Sequence, residues 1–411
     1  MSGAGPRALN EQLSAQGSPH VPRGFQLTSS SSTGPVLVTG GAGFIGSRLA
    51  RRLLILGFKV RVLDTLSPQV HGPVPHGIEW LAAEPVEFLR GSVTCRTDWE
   101  RALEGVGYVA HLAAETGTGQ SMYEVARYNE VNSQGTALLF DVLAQQRRRS
   151  VRRIVLTSSR SVYGEGRYRC RRCGFDPIYP SARGAEQLSA HKWEPQCSEC
   201  SDALIAMPTR EVDAARPASI YAATKYAQEE LVRIGSESLG IGYTIFRLQN
   251  VYGEGQSLKN PYTGILSIFS TKVRRGLELP LFEDGEETRD FVHVDDVVEA
   301  LTLGLTSAKC ADTVINVGSG VATSVRAVSL ALSAAFGREP KLRVTGQYRV
   351  GDIRHNVADI TRLRDLLGFL PRVSLADGLA RFASWVNTQP LPLDLLDRAN
   401  QELQARNLMG G

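Results

Sequence analysis

Val36-Leu37-Val38-Thr39-Gly40-Gly41-Ala42-Gly43-Phe44-Ile45-Gly46-Ser47 reads as an apolar strand, a glycine turn and the opening of a helix that continues through Leu49, Ala50 and Leu53. Glycine is needed there on three counts. One residue turns the chain, one lets backbone N–H groups approach a pyrophosphate, and one lets the helix pack closely on the strand. The next strand, Lys59-Val60-Arg61-Val62-Leu63-Asp64, ends in a carboxylate 18 residues past Gly46, close to the spacing of an acid that holds an adenosine ribose. An ordinary tight turn followed by a surface Asp is the bland alternative, and the strand–turn–helix setting argues against it.

Outward from this unit the pattern alternates strand and helix, which implies a parallel sheet covered on both faces. Val86 to Val93, Tyr108 to Ala114, Arg153 to Ser159, Tyr243 to Leu248 and Thr313 to Gly318 are the further strands. A long helix is expected up to about Gln146, another over 217–235 and a terminal one over 393–408, with a frayed Gly-Gly end. Residues 1–33, rich in Ser, Gly, Pro and Gln, read as a disordered extension. Arg147, Arg148 and Arg149 end a helix, where cations complement its dipole.

The 411 residues suffice for two or three domains. With 42% hydrophobic and 21% charged residues, the composition is that of an ordinary globular chain. A net charge of +4 gives no case for nucleic acid or membrane partners. No apolar run reaches membrane-span length, and no signal-peptide pattern opens the chain, so a cytoplasmic location is expected.

Tyr221-Ala222-Ala223-Thr224-Lys225 puts a phenol and an ammonium at i and i+4 on one helix face. A neighbouring Lys charge is expected to lower the phenol's pKa towards a usable base. Ser159, at a strand's carboxyl end, can hydrogen-bond the same substrate oxygen. The spacing alone usually marks a solvated helix face; with the glycine turn and Asp64 it becomes specific.

Six cysteines include Cys170-Arg171-Arg172-Cys173-Gly174 and Cys197-Ser198-Glu199-Cys200. They fall among the 61 residues between Ser159 and Tyr221, with 23 residues separating the two pairs. Two such knuckles suit one tetrahedral zinc, and four thiolates close its shell, so the metal would be structural. Two unmetallated pairs are the alternative.

On these residues the chain resembles an extended short-chain dehydrogenase/reductase of the nucleotide-sugar epimerase/dehydratase family. The resemblance covers about 34–385 and further rests on His111-Leu112-Ala113-Ala114, Asn132, Arg247 to Gly253, Arg289 to Asp296, Asn316 to Gly320 and Arg349 to His355. It implies an α/β fold with a Rossmann-type doubly wound parallel sheet over 34–251 and a smaller substrate-binding lobe over 252–390; the four-cysteine, zinc-ribbon-like insertion at 165–212 and the helical tail over 391–411 lie outside it. Gly40, Gly43, Phe44, Ile45, Gly46 and Asp64 would hold NAD, with Ala113, Asn132, Tyr221 and Lys225 lining its nicotinamide half. Ser159, Tyr221 and Lys225 would be catalytic. Glu115, Ser159, Asn250, Asn260, Arg289, Arg349 and Asp352 would bind a nucleotide sugar, guanidinium being suited to phosphate. Ser92 departs from the pattern, since many relatives carry Asp there against the adenine. Relatives pair through two helices per subunit, so a homodimer is expected.

After the catalytic Ser or Thr, dehydratases carry Asp-Glu and decarboxylases often a Glu; here Arg160 and Ser161 supply no carboxylate. That favours epimerisation by transient C4 oxidation over a dehydratase, a decarboxylase or a 4-ketoreductase. The intact trio argues against an inert NAD-binding module. Glu115 to Glu124, Ser159 to Gly166, the C-x-x-C insertion and Gln256 to Gly264 further resemble the bacterial dTDP-L-rhamnose 4-epimerases.

Overall fold

The computed structural model describes residues 34–75, 77–259, 264–394 and 396–411. The expected disorder of 1–33 and the expected ligand Asn260 lie outside them. Seven parallel strands form the main sheet: β1 (Val36–Thr39), β2 (Val60–Asp64), β3 (Val86–Arg90), β4 (Tyr108–His111), β5 (Arg153–Ser159), β6 (Gly242–Leu248) and β7 (Thr313–Val317). Their order is β7-β6-β5-β4-β1-β2-β3. Strand order reverses between β1 and β4, where Val36 pairs with Tyr108 and Thr39 with His111. In an open α/β sheet that reversal opens a crevice at the strands' carboxyl ends.

The strands are nearly continuous apolar runs because both faces are covered. Alternate residues serve opposite cores: Val36 and Val38 pack with Leu49, Leu53 and Phe246, whereas Leu37 packs with Trp99, Leu139 and Leu156. Helix α1 (Phe44–Ile55) follows the glycine turn, and α2 (Gly135–Gln145) and α3 (Ile220–Leu239) cover the other face. Helix α3 begins later than expected because Ser219 caps it, its hydroxyl accepting from the Ala222 N–H at 3.2 Å. The long helix before Gln146 is not uniform: Asn129–Gln134 forms a π-helical turn ahead of α2. A third core joins Tyr252, Phe269, Leu281, Phe291, Leu332 and Phe382 into the smaller lobe.

Asp290 ties this lobe to the sheet. Its Oδ1 accepts from the Ser319 N–H and hydroxyl at 2.7 Å each, and its Oδ2 from the Gly320 and Ala358 N–H groups at 3.0 and 3.2 Å. Glycine is required at 318 because a side chain would strike that carboxylate.

The chain's end corrects the frayed-tail expectation. Helix α4 (Leu396–Gln404) is shorter than expected, and Met409–Gly410 pairs antiparallel with Tyr348–Arg349. Leu396, Ala399, Leu403 and Met409 are buried, and this apolar docking holds a segment whose Gly-Gly ending suggested fraying. Among the described residues no helix is long and apolar enough to cross a membrane.

Candidate active site

The glycine turn sits where β1 and β4 diverge. Gly40 has φ +66, and a Cβ there would meet the Ala113 backbone N at 2.9 Å. A side chain at Gly46 would overlap the Gly40 carbonyl. Both positions therefore demand glycine for close approach. Asp64 braces the turn: its Oδ2 accepts from the Ala42 N–H at 3.0 Å and its Oδ1 from the Leu66 N–H at 2.9 Å. A carboxylate has about four lone-pair positions, so acceptor capacity remains for ribose hydroxyls. A strand-end turn opening α1, with no Cβ at Gly40 or Gly43, fits a pyrophosphate; the residues present suit NAD.

Beneath lies a buried polar chain whose proton positions can be worked out. The Thr136 hydroxyl donates to the Asn132 carbonyl at 2.7 Å, so its oxygen accepts from Gln228 Nε2 at 2.7 Å and from His111 Nε2 at 3.0 Å. His111 Nδ1 then accepts from the Thr39 hydroxyl at 2.8 Å, while Thr39 Oγ1 accepts from the Leu112 and Ala113 N–H groups. His111 is thus the neutral Nε2–H tautomer, and burial, with Lys225 nearby, pushes its pKa down to about 3. Gln228 turns its Oε1 to accept from Lys225 Nζ at 2.6 Å.

Asn132, on the π-helical turn, spends its amide within the protein. It accepts from the Glu115 N–H at 2.8 Å and donates to the Glu115 carbonyl at 3.1 Å and Thr224 Oγ1 at 3.0 Å. It locks the loop after β4 to α3, one residue before Lys225. Glu115 itself pairs with Arg127 at 2.8 Å.

Tyr221 faces Ser159 and Arg160. Burial pushes the phenol's pKa up, while a Ser159 hydrogen bond and the Arg160 charge pull it back. The phenol's pKa stays above its ordinary value, with Arg160 as a cation beside it. Lys225, one turn along the helix, donates to Gln228, and burial pushes its own pKa down to about 7.

Arg160, Asn250, Arg289, Arg349 and Asp352 line one cavity of about 230 Å³. The sequence points to four of these; Arg160 stands out there only for the carboxylate it displaces. Arg160 Nε donates to Asn250 Oδ1 at 2.9 Å, and its buried Nη1 has no partner among the described residues. Burial, then the neighbouring Arg289, push its pKa down to about 10. Despite burial, Arg289, Arg349 and Arg183 hold the Asp352 carboxyl below its usual range. Arg349 lies over the Phe282 ring at 4.6 Å and donates to Asn400 on α4 at 3.0 Å. Leu396, Leu403 and Leu408 of the docked tail, and Glu287, also line it. Arg160 and Arg349 each keep a buried nitrogen with no partner among the described residues, and three guanidinium groups lining one cavity suit a diphosphate. A larger groove, about 1000 Å³, runs along α1 past Arg48 and Trp80 and includes none of Ser159, Tyr221 or Lys225.

The four insertion thiols converge. All four sulfurs lie within 4.8 Å of one another, with Cys170 and Cys200 3.6 Å apart and Cys173 and Cys197 4.0 Å apart. Tetrahedral zinc with Zn–S of about 2.3 Å needs sulfurs about 3.8 Å apart, so the donor set fits that ion.

The pattern of the NAD dependent epimerase/dehydratase family matches residues 36–183 and 196–318. The dTDP-L-rhamnose 4-epimerase of Burkholderia thailandensis is 38% identical over 89% of this chain and 96% of its own. A dTDP-glucose 4,6-dehydratase of Streptomyces griseus is 29% identical over 85% and 93%. The crystal structure of Thermotoga maritima UDP-glucose 4-epimerase with UDP-glucose superposes with TM-score 0.69 at 29% identity, covering 86% of this chain and 98% of that one.

Proposed function

The chain belongs to the NAD dependent epimerase/dehydratase family, and we propose that its reaction within that family is inversion at C4 of a nucleotide-linked deoxyhexose, interconverting dTDP-L-rhamnose and dTDP-6-deoxy-L-talose. The observation that carries this reading is the surroundings of the Tyr221 phenol. Ser159 is followed on one 3-10 turn by Arg160 and Ser161, and neither is the acid or base that elimination or decarboxylation would add.

In this reading Gly40, Gly43, Phe44, Ile45 and Gly46 hold the NAD pyrophosphate and Asp64 the adenosine ribose. Ala113, Tyr221 and Lys225 line the nicotinamide half, with Asn132 fixing Lys225 from behind. NAD held there would supply a reversible hydride acceptor for C4, which would leave the overall change redox-neutral. Tyr221, as phenolate, takes the proton of the C4 hydroxyl and returns it to the 4-keto oxygen after the sugar has turned over. Ser159 hydrogen-bonds that oxygen in both half-reactions, and Arg160 favours the phenolate. Asn250, Arg289 and Arg349 grip the diphosphate, and Asp352 the nucleoside ribose. Glu115 and Asn260 are assigned to the sugar side. Cys170, Cys173, Cys197 and Cys200 hold a structural zinc, and the protein works as a cytoplasmic homodimer, with the exposed Ile234 on α3 in the pairing face.

The test is to incubate the purified protein with dTDP-L-rhamnose, adding no NAD, and to resolve the products by NMR. A C4 epimer without net NADH is expected. Turnover that needs added NAD+ or NADP+ and accumulates the 4-keto sugar with net reduced cofactor would instead make the protein a 4-ketoreductase working in reverse, and conversion of dTDP-glucose, which carries the C6 hydroxyl, to a 4-keto-6-deoxy sugar would make it a dehydratase.

A further inference from the structure

The family pattern skips residues 184–195, yet this segment packs on the stretch 348–355 that carries Arg349 and Asp352. Trp193 stacks on His191 and packs 6.4 Å from the Tyr348 ring. Glu194 accepts from Arg354 Nε at 2.8 Å and meets His355 Nε2 at 3.0 Å. Arg183, at the segment's edge, is almost wholly buried and spends every nitrogen. Its Nη2 donates to the Asp352 carbonyl at 3.1 Å and its Nη1 to Glu283 at 2.8 Å and the Trp193 carbonyl at 2.9 Å. Its Nε faces Glu165 at 3.3 Å, and Glu165 accepts from the Arg354 N–H at 2.9 Å. The backbone and flanks of 352–355 are thus clamped from the insertion side. The cavity side of the same stretch presents Asp352, whose Oδ1 lies 3.4 Å from Arg289 Nη2.

We infer that the cysteine-bearing insertion is a substrate-affinity element: through Arg183 and Glu194, acting as positioning residues, it sets where Arg349 and Asp352 stand in the nucleotide pocket. This rests on the nucleotide-sugar reading of that pocket. Neither residue lines the cavity, so neither touches substrate. Both act by removing freedom from the 349–355 backbone before the ligand arrives, so their loss weakens binding and leaves the reacting carbon's surroundings intact. The buried carboxylates Glu165 and Glu283 need a cation at 183, which makes Glu194, with its partly exposed side chain, the cleaner position to change.

The experiment measures binding of dTDP and of UDP by calorimetry, and steady-state turnover, for the full-length protein, Glu194→Ala and Glu194→Gln. Glu194→Ala should raise the Kd of the preferred nucleotide and the KM of its sugar conjugate about tenfold, with kcat changed less than twofold. Glu194→Gln, which keeps an acceptor for Arg354, should recover most of that loss. Arg183→Lys keeps the charge beside Glu165 and Glu283 but not the reach to the Asp352 carbonyl, and should also raise Kd. A merely structural role would lower the active fraction and kcat without moving Kd. Unchanged Kd in Glu194→Ala and Arg183→Lys overturns the inference alone; binding of neither nucleotide by the unaltered protein overturns the pocket's reading and the inference with it.

Discussion

Replacing Tyr221 by phenylalanine lowers kcat by about a thousandfold or more and leaves NAD binding in place. In the proposed mechanism the phenol exchanges a proton with the C4 oxygen, and a positioned general acid–base is worth about 10²–10⁴ in rate. The substitution removes one oxygen and keeps the ring, whose edge-on contact with Tyr128 at 6.4 Å between centroids should persist. The glycine turn and Asp64 lie on separate elements and should be untouched. Turnover by stopped assay, with NAD content read after denaturing the same sample, checks both halves. A variant keeping a tenth of normal turnover would mean that Tyr221 is not the proton carrier.

Removing the metal from the insertion should have the other large effect. The apolar support there is slight: Tyr168, Cys170, Cys197 and Leu204 form one small buried cluster, and Leu188 is buried apart from it. Its regular structure amounts to the two-residue strands Tyr168–Arg169 and Ile205–Ala206 and the short helix Ala185–Ser189. A segment so small cannot offset its ordering entropy by burial alone, and structural zinc sites in small domains supply about 10 kcal/mol or more. One zinc per chain is expected by metal analysis. Cys170→Ser should lose that zinc and open 165–212 to protease while the Rossmann sheet stays folded. Absence of zinc from the unaltered protein, or equal protease resistance in Cys170→Ser, would contradict the assignment. If the insertion does position Arg349 and Asp352, this variant should also bind nucleotide more weakly.

The parts of this protein readable from its sequence are those whose meaning is local. The β1–turn–α1 unit declares itself through glycine spacing, Asp64 through its place at a strand end, and Tyr221 with Lys225 through helical periodicity. The cysteine pairs are legible because knuckle spacing is a property of a few consecutive residues. Pairing across long stretches of chain is not legible in this way. Arg349 meets Asn400 and Arg183 meets Asp352 only because separate loops return to one place, and no periodicity records that. The tail's Gly-Gly ending suggested fraying, whereas burial of Leu403 and Met409 holds it down. Arg160 is legible as a missing carboxylate but not as a cation beside Tyr221, because its direction depends on Asn250. The same limit applies to the neighbours of Lys225. An i, i+4 spacing puts two side chains on one face without fixing which neighbour each prefers, and Gln228 claims the Lys225 ammonium.

The central claim, redox-neutral inversion at C4, is tested most directly by an isotope. dTDP-L-rhamnose carrying deuterium at C4 is incubated with the protein in ordinary water, with no cofactor added, and both sugars are examined by NMR. The account predicts that the inverted sugar appears with its C4 deuterium retained and that solvent hydrogen does not enter that position. Inversion with loss of the label to solvent, or no inversion at C4, would contradict it.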